Sequence, residues 1–304
     1  MKSEPSSAGV TRHGMDSLVE DVLAGEKLSV VACTRISAFS PSRTVRHAYC
    51  VTLADGRIVK ARRTLSETRA RAVCDALSAL DDDRLARVLV CRGAVLIEEW
   101  VDGAPLSTAA AQHGHLQQAA ALLARIHAVG VVAGVLVRAE QPTARRRTET
   151  EARLAALAAV GALPPVDTDV LTDALRRCDP GCAQAGLVHL DFAFENMVVD
   201  PRGRLRMIDN EAMAVDAFDY DLARSWYRNA MAPQDWGRFE DVYRRADGPG
   251  ARDRSAALFW QIAAVVEGTV TRLDVDPERA AIPLERLRDM AAAVRRQSSQ
   301  ATET

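Results

Sequence analysis

The sequence predicts an α+β chain of two unequal lobes. Three observations carry that expectation: the first hundred residues alternate in short apolar runs broken by turn residues, a joint at Val101-Asp102-Gly103-Ala104-Pro105 interrupts them, and the pattern beyond that joint turns mainly helical. A small antiparallel sheet with one main helix should therefore precede a larger helical lobe. At 304 residues and 48% hydrophobic content, the chain can bury a sizeable core. The expected boundaries are a tail and short helix over 1–26, a sheet lobe ending in the joint over 27–101, and the helical lobe over 102–304.

Taken in order, the tail runs to about residue 14 and a short helix spans Asp16 to Ala24. Strands are predicted at Leu28–Ala38, Arg46–Leu53 and Arg57–Ala61, the last two joined by Ala54-Asp55-Gly56, a tight-hairpin signal. A helix from about Ser66 to Leu80 follows, then strands Val88–Cys91 and Val95–Glu99. The apolar run Ala119 to Val137 has the length of a membrane span, but Arg125 and His127 interrupt it and Gly130 and Gly134 divide it, so a buried helix with a strand-like continuation is expected.

Composition narrows the function classes. A formal net charge of −2 gives no general electrostatic argument for nucleic acid or an anionic membrane surface. Residues 101–304 are mildly acidic, which would suit a cationic substrate. The six cysteines follow neither a metal-ligand nor a disulfide-framework spacing, although Cys178 and Cys182 stand four apart, and the N-terminus lacks an apolar signal core. A reducing cytoplasm is the expected location. Nothing in the sequence sets the oligomeric state.

Chemistry concentrates between His189 and Asp221. Leu187-Val188 leads into His189-Leu190-Asp191, with Asn196 five residues past the aspartate; Met197-Val198-Val199 reads as a strand, Asp200-Pro201-Arg202-Gly203 as a turn, and Leu205 to Ile208 as a second strand delivering Asp209. That hairpin would bring the loop bearing Asp191 and Asn196 close to Asp209. Three oxygen-bearing side chains then converge on one cleft. Phosphoryl transfer needs such a set, because it asks a protein mainly to place a base and one or two magnesium ions around a triphosphate, and magnesium takes oxygen ligands. The alternative is a group of turn-capping aspartates.

The pattern of His189, Asp191, Asn196, Asp209, Glu211 and Asp221 resembles the catalytic region of the aminoglycoside phosphotransferase family, small-molecule kinases with a protein-kinase-like fold. Leu190 stands where that family commonly has a small residue, and Asn210 where an aromatic is usual. The resemblance implies that Asp191 orients the acceptor hydroxyl and takes its proton, that Asp209 binds the metal bridging the phosphates, and that Asn196 holds the second metal or its water. It implies that His189 braces the loop and that Asp221 N-caps its helix while tying back to that loop. Glu211 would bind metal, contact substrate or be paired structurally.

The same resemblance extends to the first lobe. Lys60, one of three lysines in the chain, would contact the α and β phosphates, with Glu67 at the helix start as its acidic partner. Ser40, Ser42 and Thr44 would cover the phosphates, and the backbone of Glu98 to Trp100 would read the purine edge. The implied cofactor is Mg2+ with ATP, GTP being equally compatible with backbone recognition. The implied partner is a small hydroxyl-bearing acceptor: an aminoglycoside, another antibiotic, a sugar or an amino alcohol. Its pocket is expected in the later helical region, which carries Asp219, Tyr220, Tyr227, Arg228, Trp236, Phe259, Trp260 and Glu267, the alternative for the helix-spaced aromatics being core. Two alternatives stay open, a catalytically silent nucleotide-binding module and a protein Ser/Thr kinase. Against the latter, only eleven residues separate Asp209 from Asp221, without an Ala-Pro-Glu sequence.

Overall fold

A computed structural model describes residues 14–36, 48–106, 113–129, 141–250 and 254–302. Local capping fixes the first elements. Asp16 precedes α1 (Ser17–Gly25), and its carboxylate accepts the Leu18 N–H at 3.0 Å, satisfying one donor that the helix itself cannot. β1 (Val30–Ile36), β2 (Ala48–Leu53) and β3 (Ile58–Arg63) follow. Ser66 then caps α2 (Glu67–Leu80) by accepting the Arg69 N–H at 3.1 Å. With β4 (Val88–Arg92) and β5 (Val95–Glu99), the strands form an antiparallel sheet in the order β1-β2-β3-β5-β4.

Strand alternation divides the two faces of this sheet. Tyr49, Val51, Leu53, Val59, Ala61, Val95 and Ile97 turn to one side, where Val19, Val22 and Leu23 of α1 cover them. On the other side, α2 packs Ala70 and Val73 against Leu96. That side also carries Lys60 and Arg62, and Lys60 lies directly across from Glu98 in the β3/β5 register.

The joint leads into β6 (Ala104–Pro105) through Gly103, whose φ of +152° and surroundings both demand glycine: an added Cβ would lie 2.3 Å from the Val199 carbonyl oxygen. The helical lobe contains α3 (His113–Ala128), α4 (Pro142–Ala159), α5 (Pro165–Arg177), β7 (Ala185–Val188), β8 (Met197–Val199), β9 (Leu205–Met207) and β10 (Ala214–Ala217). It ends with α6 (Phe218–Asn229), α7 (Pro233–Arg245), α8 (Ala257–Val275) and α9 (Ala281–Thr302). The β8/β9 hairpin pairs with β6, and β7 pairs antiparallel with β10. Two cores result. One joins α3, the hairpin and α7; the other joins α4, α5, α6, α8 and α9. The fold is thus the expected α+β, two-lobed one.

Where sequence and structure differ, short elements are responsible. The β7/β10 pairing was not anticipated, because four-residue strands far apart in sequence carry little periodicity. The strand-like continuation of the 119–137 run falls within 130–140, outside the described residues. No helix among the described residues is long and apolar enough to cross a membrane.

Candidate active site

β7 ends at Val188, and the chain turns sharply through His189 and Leu190. Leu190 adopts φ +61°, a left-handed conformation that costs a non-glycine residue roughly 1–2 kcal/mol. Asp221, wholly buried, holds this turn: its carboxylate accepts the His189 N–H at 2.7 Å and the Leu190 N–H at 2.8 Å, and lies 3.0 Å from His127 Nε2. Burial by itself would raise the Asp221 pKa. The hydrogen bond and charge of His127, with the nearby His189, outweigh it and hold the carboxyl below its ordinary value. His189 is buried too. Its Nδ1 accepts the Asp191 N–H and its Nε2 faces Asn210 Oδ1, both at 3.3 Å, so one tautomer with the proton on Nε2 serves both contacts.

The loop delivers Asp191 and Asn196 into a cleft of about 670 Å³ between the lobes. Asn196 Nδ2 donates to Asp191 Oδ2 at 2.8 Å and to the Asp191 carbonyl at 3.0 Å. Arg228 Nη1 donates to Asp191 Oδ1, and Arg224 Nη2 lies 3.9 Å from the same oxygen. The Ile208 N–H bonds the Asn196 carbonyl at 2.9 Å, so Asp209 emerges beside Asn196. Across the cleft Lys60 Nζ donates to the Ile208 carbonyl at 3.2 Å and stands 3.7 Å from Asp209 and 3.9 Å from Glu98.

This donor set fits magnesium. Asp209 presents a partly exposed carboxylate and Asn196 an amide oxygen from adjoining backbone, both facing the cleft. A hard cation that prefers few protein ligands and completes its shell with phosphates and water needs no more. Among the described residues no group of three or more His, Cys, Asp or Glu could hold a metal by itself.

Several expectations need correction. Glu67 does not reach Lys60: it sits in the exposed first turn of α2 and pairs with Arg71 at 2.9 Å. Only five residues separate Lys60 from the Ser66 cap, too few to carry the start of α2 over the strand, and the inward face of the helix presents Ala70 and Val73. The acidic neighbours of Lys60 are Glu98 and Asp209. Glu98 in turn is not part of an open hinge. It lies inside β5 between β3 and β4, completely buried, and the Glu99 N–H is already taken by the Arg87 carbonyl. The chain leaves β5 at Trp100, whose side chain is exposed. Asp221 does not N-cap α6, which starts three residues earlier at Phe218. Trp236 stacks on Phe239 with centroids 5.3 Å apart, as part of the α3/α7 core, whereas Tyr227 does line the cleft. Ser40, Ser42 and Thr44 lie outside the described residues.

The sequence reading also passed over Arg62, Arg224 and Arg146. Arg62, 2% exposed, holds Glu98 at 2.8–2.9 Å and Glu211 at 2.6 Å and lies 3.6 Å from Asp209. Period-two spacing from Lys60 was the available signal. On α6, Tyr220, Arg224, Tyr227 and Arg228 recur at helical spacing and all face the cleft. Glu267 of α8 meets Arg146 at 2.8 Å, Arg224 at 3.1 Å, Arg153 at 3.3 Å and the Tyr220 hydroxyl. Burial opposes ionisation of Glu267, but Arg224 and Arg146 hold its pKa below the ordinary value; burial pushes Tyr220 up to about 12. Gly268 makes room here, since an added Cβ would lie 2.3 Å from the Tyr227 ring.

The model of the phosphotransferase enzyme family (APH) matches residues 42–260, well over half of the chain. The fold is similar to that of choline kinase LicA from Streptococcus pneumoniae, at 14% identity over 91% of this chain and 98% of that one, with a TM-score of 0.67. A complex of LicA with AMP is also similar, at 13% identity over 92% and 98% of the two chains and a TM-score of 0.65. Macrolide 2'-phosphotransferase MphH from Brachybacterium faecium aligns at 18% identity over 92% and 98%, with a TM-score of 0.64. No curated protein sequence matches the chain.

Proposed function

The chain belongs to the phosphotransferase enzyme family, and on that premise we propose that it moves the γ-phosphoryl group of ATP or GTP to a hydroxyl of a small molecule. The observation that carries the reading is the convergence of Asp191, Asn196, Asp209 and Lys60 on one cleft, with a buried carboxylate, Asp221, pinning the loop that presents the first two. Similarity to a kinase solved with AMP supports nucleotide use.

In this reading Asp191 orients the acceptor hydroxyl and takes its proton as the oxygen attacks the γ-phosphorus. The bond to the β-phosphate oxygen breaks and the nucleoside diphosphate leaves. Little general-base strength is required when the transition state is loose, so an aspartate held in place by Asn196 and Arg228 suffices. Asp209 and Asn196 would hold magnesium, which supplies charge neutralisation between the phosphates. Lys60 supplies a compact positive charge facing the same oxygens. His189 and Asp221 position the loop and touch no substrate. Purine recognition falls to the backbone from Trp100 onward.

Two variants test this assignment. Asp191→Ala should retain magnesium-nucleotide affinity while turnover falls on the order of 10²–10⁴-fold. Asp209→Ala should lose the magnesium-dependent part of that affinity. Calorimetric nucleotide titrations with and without magnesium separate the two outcomes. Equal loss of nucleotide affinity and turnover in Asp191→Ala would remove the role given to that residue.

A further inference from the structure

The acceptor side of the cleft has the wrong charge for a cationic substrate. Arg146 of α4, Arg224 and Arg228 of α6 and Arg272 of α8 line it, against Asp191, Glu195 and Glu267. Each of those carboxylates is already engaged by arginine. Arg228 bonds both Asp191 and Glu195, and Glu267 is shared among Arg146, Arg153 and Arg224. By contrast, among the described residues no side chain pairs with the Arg272 guanidinium. Helical spacing explains its aim: Glu267, Gly268, Thr271 and Arg272 form the face of α8 that borders the cleft.

The aromatic route to cation binding is narrowed as well. Among the described residues, Tyr220 and Tyr227 are the aromatic ones lining the cleft, and a quaternary ammonium would need their ring faces. The Arg146 guanidinium covers the Tyr220 ring at 3.7 Å from its centroid, and Arg286 stands 5.8 Å from that of Tyr227. An incoming ammonium would therefore meet four guanidiniums, engaged carboxylates and a ring already occupied by a cation. An incoming anion would meet an unpaired planar donor fork suited to two parallel hydrogen bonds.

We propose that the acceptor is a hydroxyl compound bearing an anionic group, a carboxylate or a phosphate ester, and that Arg272 binds that group while Asp191 faces the hydroxyl. This deepens the phosphotransferase reading and rests on it. It also reverses the expectation drawn from the mildly acidic second half of the chain, because the acidic surplus does not face the cleft.

The test uses a matched set of probes on one scaffold. The full chain, saturated with magnesium and a non-hydrolysable ATP analogue, is titrated calorimetrically with glucose, glucosamine, glucuronate and glucose 6-phosphate, and with kanamycin as a polycation. At least one of the two anions should bind about tenfold or more tightly than glucose, the scale of one charge-assisted hydrogen-bonded contact. The carboxylate and phosphate arms then say which anion fits. Arg272→Gln should remove that advantage, and Arg272→Lys should keep part of it. Tighter binding of glucosamine or kanamycin than of either anion overturns the inference, as does failure of both anions to outbind glucose. An equal drop in nucleotide and anion affinity in Arg272→Gln overturns it too, since it would place the anions on the nucleotide's phosphate site. A parallel titration of nucleotide into the unloaded protein keeps the two readings apart. No magnesium-dependent nucleotide binding removes the phosphotransferase reading and this inference with it, whereas intact nucleotide binding with a preference for cations removes the inference alone.

Discussion

Lys60 and Arg62 sit two residues apart on one face of β3, and their surroundings give them different duties. Lys60 reaches the cleft and keeps 16% of its side chain exposed, while Arg62 is sealed beneath it with Glu98 and Glu211. Truncating Lys60 removes a charge that the solvent-facing Asp209 can do without. Truncating Arg62 leaves the buried Glu98 carboxylate with Lys60 at 3.9 Å in place of its two close guanidinium contacts, and breaking one side of a buried pair typically costs about 3–5 kcal/mol. Arg62→Met is accordingly expected to destabilise the fold by that order in denaturant titration. Lys60→Met should leave the midpoint nearly unchanged and abolish most turnover, and Lys60→Arg should rescue poorly because a planar fork does not replace an ammonium. A Lys60→Met variant as unstable as Arg62→Met would mean that Lys60 is a structural residue. Lys60 was conspicuous in the sequence because the chain has so few lysines; Arg62 was hidden among many arginines, and the need for it appears only once β5 sets Glu98 against it.

At the scale of elements, what the sequence disclosed depended on how local the cause was. The Ala54-Asp55-Gly56 hairpin and the Ser66 cap are written in a few adjacent residues, and both elements lie within a few residues of their expected bounds. The Glu67 pairing failed because it depended on the path of α2 over the sheet. The Asp221 cap failed because α6 begins only once β10 has paired with β7, a contact with no local signature. That same pairing supports a further prediction. The segment between Asp209 and Asp221 is spent on a bend, the four residues of β10 and the first turn of α6, so no length is left for a loop that phosphorylation could order. Protein treated with phosphatase should turn over its acceptor at the same rate as untreated protein. Loss of activity on that treatment would reopen the protein-kinase alternative.

Taken as a whole, the molecule is held together across its lobes by buried and half-buried ion pairs, and this sets how it should respond to acid. Lys60 and Arg62 of the sheet lobe reach Asp209 and Glu211, Arg206 bonds Glu99, and the β9 backbone hydrogen-bonds Arg84 and Ala86. Within the helical lobe, the two carboxylates that organise the cleft, the buried Asp221 and the half-buried Glu267, both have pKa values lowered in the folded state. A group of that kind binds protons more readily unfolded than folded. Its contribution to stability is therefore complete above the unfolded pKa, near 3.8 for Asp and 4.5 for Glu, and is lost as pH falls from there through the folded value. Melting temperature should hold steady from neutral pH down to about pH 5 and drop steeply below it. Asp221→Asn isolates one share of this effect, because the amide keeps an acceptor oxygen for the loop but cannot ionise. Its deficit relative to the parent should be full at pH 7 and should shrink as the solution is taken below the ordinary carboxylate range, where the parent's own Asp221 becomes protonated. If the deficit stayed constant down to the lowest pH at which both proteins remain folded, the Asp221 carboxylate would not be the charged anchor that its two backbone hydrogen bonds and the His127 contact describe.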